Sequence, residues 1–103
     1  MNMVTISKYS AFNQRRYSNP WVAIVSKETG KLDFSAKVGG YTGRYGAGEA
    51  GELYVSNPVV GAVYAYGQKD YRGNNGGYQY AKYLGDGHFA DVDKSELVAA
   101  LNG

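Results

Sequence analysis

Residues 20–38 read PWVAIVSKETGKLDFSAKV, and this stretch decides the fold class. Residues 21–25 are an unbroken apolar run, which predicts a strand that is central in a sheet or buried on both faces. Residues 27–30 suit a hairpin turn, with Gly30 placed for the left-handed conformation. Residues 31–38 then alternate apolar and polar side chains, which predicts a returning strand with one buried face. The residues predicted to share that face are Leu32, Phe34, Ala36 and Val38.

Further short strands are predicted along the rest of the chain, because turn-forming Gly, Asn and Pro residues separate short apolar or alternating runs. These runs are residues 4–6, 52–55, 59–66, 78–83 and 88–92. Only the C-terminus predicts a helix, since Asp93 suits an N-cap and Glu96 stands at the capping-box position. An apolar stripe follows, made of Leu97, Val98 and Leu101.

The predicted fold class is α+β, mostly β. We expect a twisted antiparallel sheet of five to seven short strands with one short C-terminal helix, and a partly closed barrel is the alternative. The 103 residues suit a single domain over residues 1–103. A domain of this size buries enough apolar surface to fold without disulfides or metal.

The absence of cysteine excludes a disulfide framework, a thiolate zinc site, an iron–sulfur cluster and a cysteine nucleophile. The N-terminus has no apolar run after a basic start, so it does not predict a secretory signal. No apolar run approaches the roughly 20 residues that a membrane span needs. These observations predict a soluble cytoplasmic protein with no membrane partner.

Glycine and tyrosine are the unusual components, with 15 and 11 residues respectively. Tyrosine offers a large rigid face and a hydroxyl, and glycine lets the backbone adapt, so the pair is typical of recognition surfaces. The alternative is a sheet whose tyrosines cover a small core and carry their hydroxyls to its edge.

Three segments pair aromatic with basic residues: 15–17, 41–46 and 69–73. Such pairs suit single-stranded nucleic acid, where cations meet phosphates and rings stack on bases. Arg and Tyr are equally the favoured anchors of protein interfaces. A net charge of +2 favours the protein partner, because phosphate binding normally needs more basic charge. The predicted contact residues are Tyr41, Arg44, Tyr45, Lys69, Tyr71 and Arg72.

All six of these contact residues fall in two predicted glycine-rich loops, residues 39–51 and 67–77. The first loop is not a nucleotide-binding P-loop, because strand-like residues 52–55 follow it and no Gly-Lys-Ser/Thr occurs. A flexible connection or a binding loop is therefore predicted.

The sequence predicts no catalytic residue, no metal site and no cofactor. His88 is the only histidine, it suits a surface or edge strand, and no nucleophile-elbow motif is present. Glu49 and Glu52 lie on or beside a loop, with nothing to set them at the separation that glycoside chemistry needs. Four residues close in sequence could ligate a metal, but turn, strand-face and cap roles explain them without one and are favoured. They are Asp86, His88, Asp91 and Asp93.

Residues 41–53, YTGRYGAGEAGEL, followed by residues 63–73, VYAYGQKDYRG, resemble small uncharacterised proteins of bacteriophages and other mobile elements. The resemblance extends over most of the chain from Ser7 onward. Such proteins are similar in kind to the inhibitors that phages use against host defences, including anti-CRISPR proteins, which occlude a surface or mimic a ligand.

The resemblance implies a non-enzymatic protein in the host-cell cytoplasm that inhibits a host defence protein or ribonucleoprotein by binding it. It transfers no catalytic residue. Direct binding of single-stranded nucleic acid through the Tyr/Arg loops is the alternative function. A homodimer formed through exposed strand edges stays open.

Overall fold

The computed structural model describes residues 2–10, 19–43, 50–69, 74 and 77–102. Its strands are β1 (Met3–Ser10), β2 (Asn19–Val25), β3 (Leu32–Asp33), β4 (Gly39–Tyr41), β5 (Ala50–Ser56), β6 (Val63–Lys69), β7 (Tyr78–Gly85) and β8 (His88–Val92). A 3-10 turn over Lys94–Glu96 leads into the single described helix, α1 (Leu97–Asn102).

The described strands form two antiparallel sheets, which confirms the mostly β class with a short C-terminal helix. One sheet has the order β1-β5-β4 and the other has the order β3-β2-β6-β7-β8. The eight strands are thus divided between two sheets, and neither sheet closes into a barrel. The radius of gyration is 13.3 Å, which is that of a compact single domain of about this length.

The two sheets pack face to face through their central strands. Leu53 and Val55 of β5 are completely buried, and they lie in the same apolar clusters as Tyr64 and Tyr66 of β6. Side chains alternate along a strand, so β6 directs both tyrosines toward the smaller sheet. The molecule is therefore a β-sandwich whose core lies between β5 and β6.

The buried tyrosines of this core each bring their hydroxyl to the edge of the sandwich. The hydroxyl of Tyr64 accepts a hydrogen bond from the Val59 N–H at 3.0 Å, and that of Tyr83 accepts one from the Gly87 N–H at 3.1 Å. Buried tyrosines normally satisfy the hydroxyl in this way. The interpretation of tyrosine as sheet cover is confirmed for these residues.

The opposite face of the larger sheet is covered by α1. Leu101 packs on a cluster that includes Val25, Val63 and Ala65, with Leu97 and Ala100 beside it.

The prediction of a buried apolar stripe on the helix is wrong at Val98, because this side chain is 70% exposed. The capping box is also wrong, because Asp93 is extended and makes no side-chain cap to the described residues after it. The Glu96 N–H instead donates to the Asp93 carbonyl at 2.9 Å, and this bond closes a 3-10 turn.

The prediction of a strand over residues 31–38 is confirmed only at Leu32–Asp33 and is wrong for the residues that follow. Only β3 pairs with β2, and the chain then turns because the Ser35 N–H donates to the Asp33 Oδ1 at 2.9 Å. Leu32 packs on the helix side of the larger sheet, whereas Val38 packs between the sheets. The side-chain turn at Asp33 interrupts the ladder and lets the chain cross from one sheet to the other.

Several boundaries also differ. The hairpin at Gly30 is confirmed, with a φ of 71°. The strand expected over residues 59–66 begins only at Val63, because Gly61 turns with a φ of 87°, and it extends to Lys69. Parts of both expected glycine loops are therefore strand, namely residues 39–41, 50–51 and 67–69. The strands expected over residues 4–6, 52–55, 78–83 and 88–92 are confirmed.

Candidate functional site

Six strand termini meet at one end of the sandwich, which we call the loop end. In the smaller sheet, Ser10 at the end of β1 pairs with Ala50 at the start of β5. In the larger sheet, Asn19 at the start of β2 pairs with Lys69 at the end of β6. The remaining two termini are Tyr41 of β4 and Tyr78 of β7.

The loop ends of the two sheets coincide, because Tyr9 and Tyr41 of the smaller sheet pack on the cluster that contains Tyr66 of the larger one. The strands on either side of residues 11–18, 42–49 and 70–77 all end or begin at this end. All three predicted aromatic-basic segments are therefore joined to the same end of the scaffold.

The predicted contact residues are distributed as follows. Tyr41 lies half-buried at the end of β4, with its ring against Leu53 and Tyr66, so it belongs partly to the core. Lys69 lies half-buried at the end of β6. Both are at the loop end, but in different sheets. The other four lie outside the described residues, so their contact role stays a prediction: Arg44, Tyr45, Tyr71 and Arg72.

Four aromatic rings form a continuous line on the helix side of the larger sheet, which we call the aromatic row. Phe34 meets Trp21 with ring centroids 5.2 Å apart, and Trp21 meets Tyr78 at 5.4 Å. Tyr78 then meets Tyr80 at 5.6 Å, with the two planes 81° apart. Such edge-to-face pairs stabilise by about 0.5–1.5 kcal/mol each beyond their burial.

Gly67 makes the aromatic row continuous. On β6 it pairs with Trp21 of β2 on one side and with Tyr78 of β7 on the other. It has no side chain, so the two flanking rings close over the middle strand. A Cβ at Gly67 would lie 2.8 Å from both the Tyr78 Cβ and the Gly77 carbonyl oxygen, which is closer than real Cβ contacts.

The aromatic row has a buried centre and exposed members beside it. Trp21 is 8% exposed, whereas Phe34 is 47% and Tyr78 39% exposed. Burial and a hydrogen bond with Tyr78 raise the pKa of Tyr80, so its phenol is neutral at physiological pH. The row therefore presents uncharged aromatic surface with phenol hydroxyls, the surface that protein interfaces favour at their centre.

A polar cluster lies on the other side of the same strands. The Tyr66 hydroxyl donates to the Gln79 Oε1 at 2.8 Å and lies 3.2 Å from the Asp91 Oδ1. Burial, followed by the nearby Asp91 carboxylate, raises the pKa of Tyr66 to about 12. This cluster holds β6, β7 and β8 together at the loop end.

The acidic residues and the histidine predicted as possible metal ligands are all described. The described part of the chain contains no group of three or more His, Cys, Asp or Glu side chains arranged to hold a metal ion. His88 is exposed on β8, an edge strand, as the sequence predicted. The residues Asp86, His88, Asp91 and Asp93 are thus not gathered around one point.

Sequence reasoning missed the aromatic row. It placed Trp21 and Phe34 in a buried hairpin and took Tyr78 and Tyr80 only as part of the strand predicted over residues 78–83. The signal that could have found the row is Gly67, a glycine inside an apolar strand with aromatic strands before and after it.

Comparisons with family models, curated proteins and solved structures found no match to this chain. No helix in the described ranges is long and apolar enough to cross a membrane.

Gly67→Ala should destabilise the protein by about 1–3 kcal/mol, because the new methyl group meets backbone and Cβ atoms that cannot move aside cheaply. It should also separate Trp21 from Tyr78. Urea unfolding measures the first effect, and the emission of the single tryptophan reports the second. Gly77→Ala is the matched control, since nothing lies within 4 Å of a Cβ there. Equal stability of the two variants would contradict the packing described.

The stability of the protein should fall as the pH rises from about 10 to about 12, because folded Tyr66 keeps its proton until about pH 12 while an unfolded tyrosine loses it near 10. Below that window Tyr66 makes no pH-dependent contribution. The measurement is the free energy of unfolding in urea for wild type and Tyr66→Phe. The wild-type advantage should be constant up to about pH 9 and shrink above about pH 10. Parallel curves throughout would show that Tyr66 titrates normally.

Proposed function

We propose that the chain is a non-enzymatic binding protein that inhibits a host protein or ribonucleoprotein in the host-cell cytoplasm by covering part of its surface. This is the mode of action of the phage accessory proteins that the sequence resembles. The observation that carries the proposal is the convergence of strand termini at the loop end, which joins every aromatic-basic segment to one side of a rigid scaffold.

A β-sandwich with variable segments at one end is a general solution to recognition. The packed sheets hold the positions of the strand termini, and the connecting segments are free to vary in sequence. Immunoglobulin variable domains place their binding loops on the same principle. Here the segments supply Arg and Tyr, the residue types most enriched among interface anchors.

The aromatic row adds exposed aromatic surface to the same end. Trp21 pairs with Gly67 two residues from the Asn19–Lys69 pair that marks the loop end. The exposed rings of Phe34 and Tyr78 therefore lie beside the points where the segments attach. Exposed aromatic surface beside polar side chains is the usual composition of a protein interface, with an apolar centre and a polar rim.

The charges near the aromatic row favour a protein over nucleic acid. Asp91 and Asp93 line a groove beside Tyr78 and Tyr80, and Lys94 is the one cation among the described residues of that lining. Carboxylates there oppose a phosphate backbone, and the net charge of +2 does little to offset them.

Arg44→Glu/Arg72→Glu should reduce capture of a bacterial partner from lysate by about tenfold or more, as expected when interface anchors are reversed in charge. The matched control is Lys27→Glu/Lys31→Glu, because both lysines are exposed at the hairpin turn on the opposite end of β2. The control should capture as much partner as wild type. Equal capture by all three proteins, or no capture by wild type, would overturn the proposal.

Single-stranded nucleic acid is the alternative partner, and the proposal predicts that it binds weakly. Fluorescence anisotropy with a labelled single-stranded oligonucleotide at low and high salt separates the two. Tight binding at low salt that weakens steeply with added salt, and that is lost in Arg44→Glu/Arg72→Glu, would favour the alternative.

A further inference from the structure

A groove of about 550 Å³ lies where β7 extends beyond β8 at the loop end. The last pair between these strands joins Tyr80 to Val92, so Tyr78 and Gln79 lie past the end of β8. The chain then leaves the sheet at Asp93 and enters the 3-10 turn. No described strand pairs with Tyr78 and Gln79 on this side, and both residues are exposed.

The two sides of this free edge differ in chemistry. On one side stand the rings of Tyr78 and Tyr80, the end of the aromatic row. On the other side stand Gln79 and Asp91, which share the hydroxyl of Tyr66. Tyr78 and Tyr80 thus face the helix side of the sheet, and Gln79 and Asp91 face the inside of the sandwich, as strand alternation requires.

The charge of the groove is negative. The exposed carboxylates of Asp91 and Asp93 line it, and among its described lining residues Lys94 is the single cation. The lining therefore carries a formal charge of −1, from two carboxylates and one ammonium group. An incoming cationic side chain complements this charge, and an incoming phosphate opposes it.

We infer that this groove binds an extended, basic segment of the partner protein, which adds as a strand to the edge of β7. The inference rests on the proposed function and names the chemistry of the partner at one site. The main chain of the segment pairs with the backbone at Tyr78 and Gln79, in the line that β8 vacates. Its side chains then alternate between the two walls.

Each wall selects a different side chain. An Arg or Lys on the inner side meets Asp91, and Asp93 lies beyond it at the end of the groove. The neighbouring residue of the segment, on the outer side, packs an apolar or cationic side chain on the rings of Tyr78 and Tyr80. The preferred segment thus alternates basic and apolar residues.

The test is an NMR titration of the full ¹⁵N-labelled chain with a blocked pentapeptide, acetyl-Val-Arg-Val-Arg-Val-amide. The amide resonances of residues 77–80 and 91–94 should shift, and those of the hairpin turn at residues 27–30 should not. The same peptide with Glu in place of Arg should bind at least several-fold more weakly, since it repels the carboxylates. A peptide with proline at the centre should also lose affinity, because it lacks a main-chain donor.

Asp91→Asn/Asp93→Asn should weaken binding of the arginine peptide by roughly three- to tenfold, as expected for two exposed charge pairs. The matched control is Asp86→Asn, which removes an exposed carboxylate at the far turn of the same hairpin. Asp86 has a φ of 54°, which asparagine tolerates, so this control should keep both its fold and its affinity.

The inference is overturned if the peptide shifts no resonance in residues 77–80 and 91–94, if the glutamate peptide binds equally well, or if a single-stranded oligonucleotide shifts those resonances more strongly. These readouts need no lysate partner and no charge at Arg44 or Arg72. Failure of the capture experiment therefore leaves them unchanged, and their failure leaves an arginine-dependent capture unchanged.

Discussion

The packing of β5 against β6 is the interaction on which the other features depend. Leu53 and Val55 meet Tyr64 and Tyr66 across the two sheets, and all four side chains are buried. Because both tyrosines of β6 face the smaller sheet, alternation places the smaller residues of that strand on the outward face, the helix side of the larger sheet. Those outward residues are Val63, Ala65 and Gly67.

These outward residues become smaller along β6, so the two ends of this face of the sheet are covered in different ways. At the end of β6 that holds Val63 and Ala65, these side chains pack against Leu101 of α1 and form a second apolar core. At the Gly67 end there is none, so Trp21 and Tyr78 close over the strand and form the aromatic row. One strand thus places the helix-packed cluster at one end and the aromatic row at the loop end.

Much of the β architecture could be predicted from local pattern, and the errors have local causes as well. The apolar run at residues 21–25 predicts a strand from local pattern, and the glycine at position 30 predicts a turn in the same way. Both predictions are confirmed. The alternation at residues 31–38 is equally regular, but the Asp33 side chain binds the Ser35 backbone and ends the strand after two residues. A hydrogen bond from side chain to backbone competes with the ladder, and periodicity does not detect it.

The candidate site needed information that periodicity does not contain. The register between three strands places Trp21, Gly67 and Tyr78 in one line, and register is set by non-local packing. The same holds for the edge beyond Val92, where Tyr78 and Gln79 of β7 pair with no described strand on the side of β8. Composition predicted Tyr, Gly and Arg as recognition residues, whereas the fold shows which of the described tyrosines are core and which are surface.

The most direct test of the central claim, that the loop end is the recognition surface, is hydrogen–deuterium exchange of the chain alone and bound to its captured partner. The account predicts that protection on binding concentrates in residues 19–22, 67–69 and 77–80, with no change in residues 26–31 at the opposite end. Protection confined to residues 26–31 and 57–62, with the loop end unchanged, would contradict it.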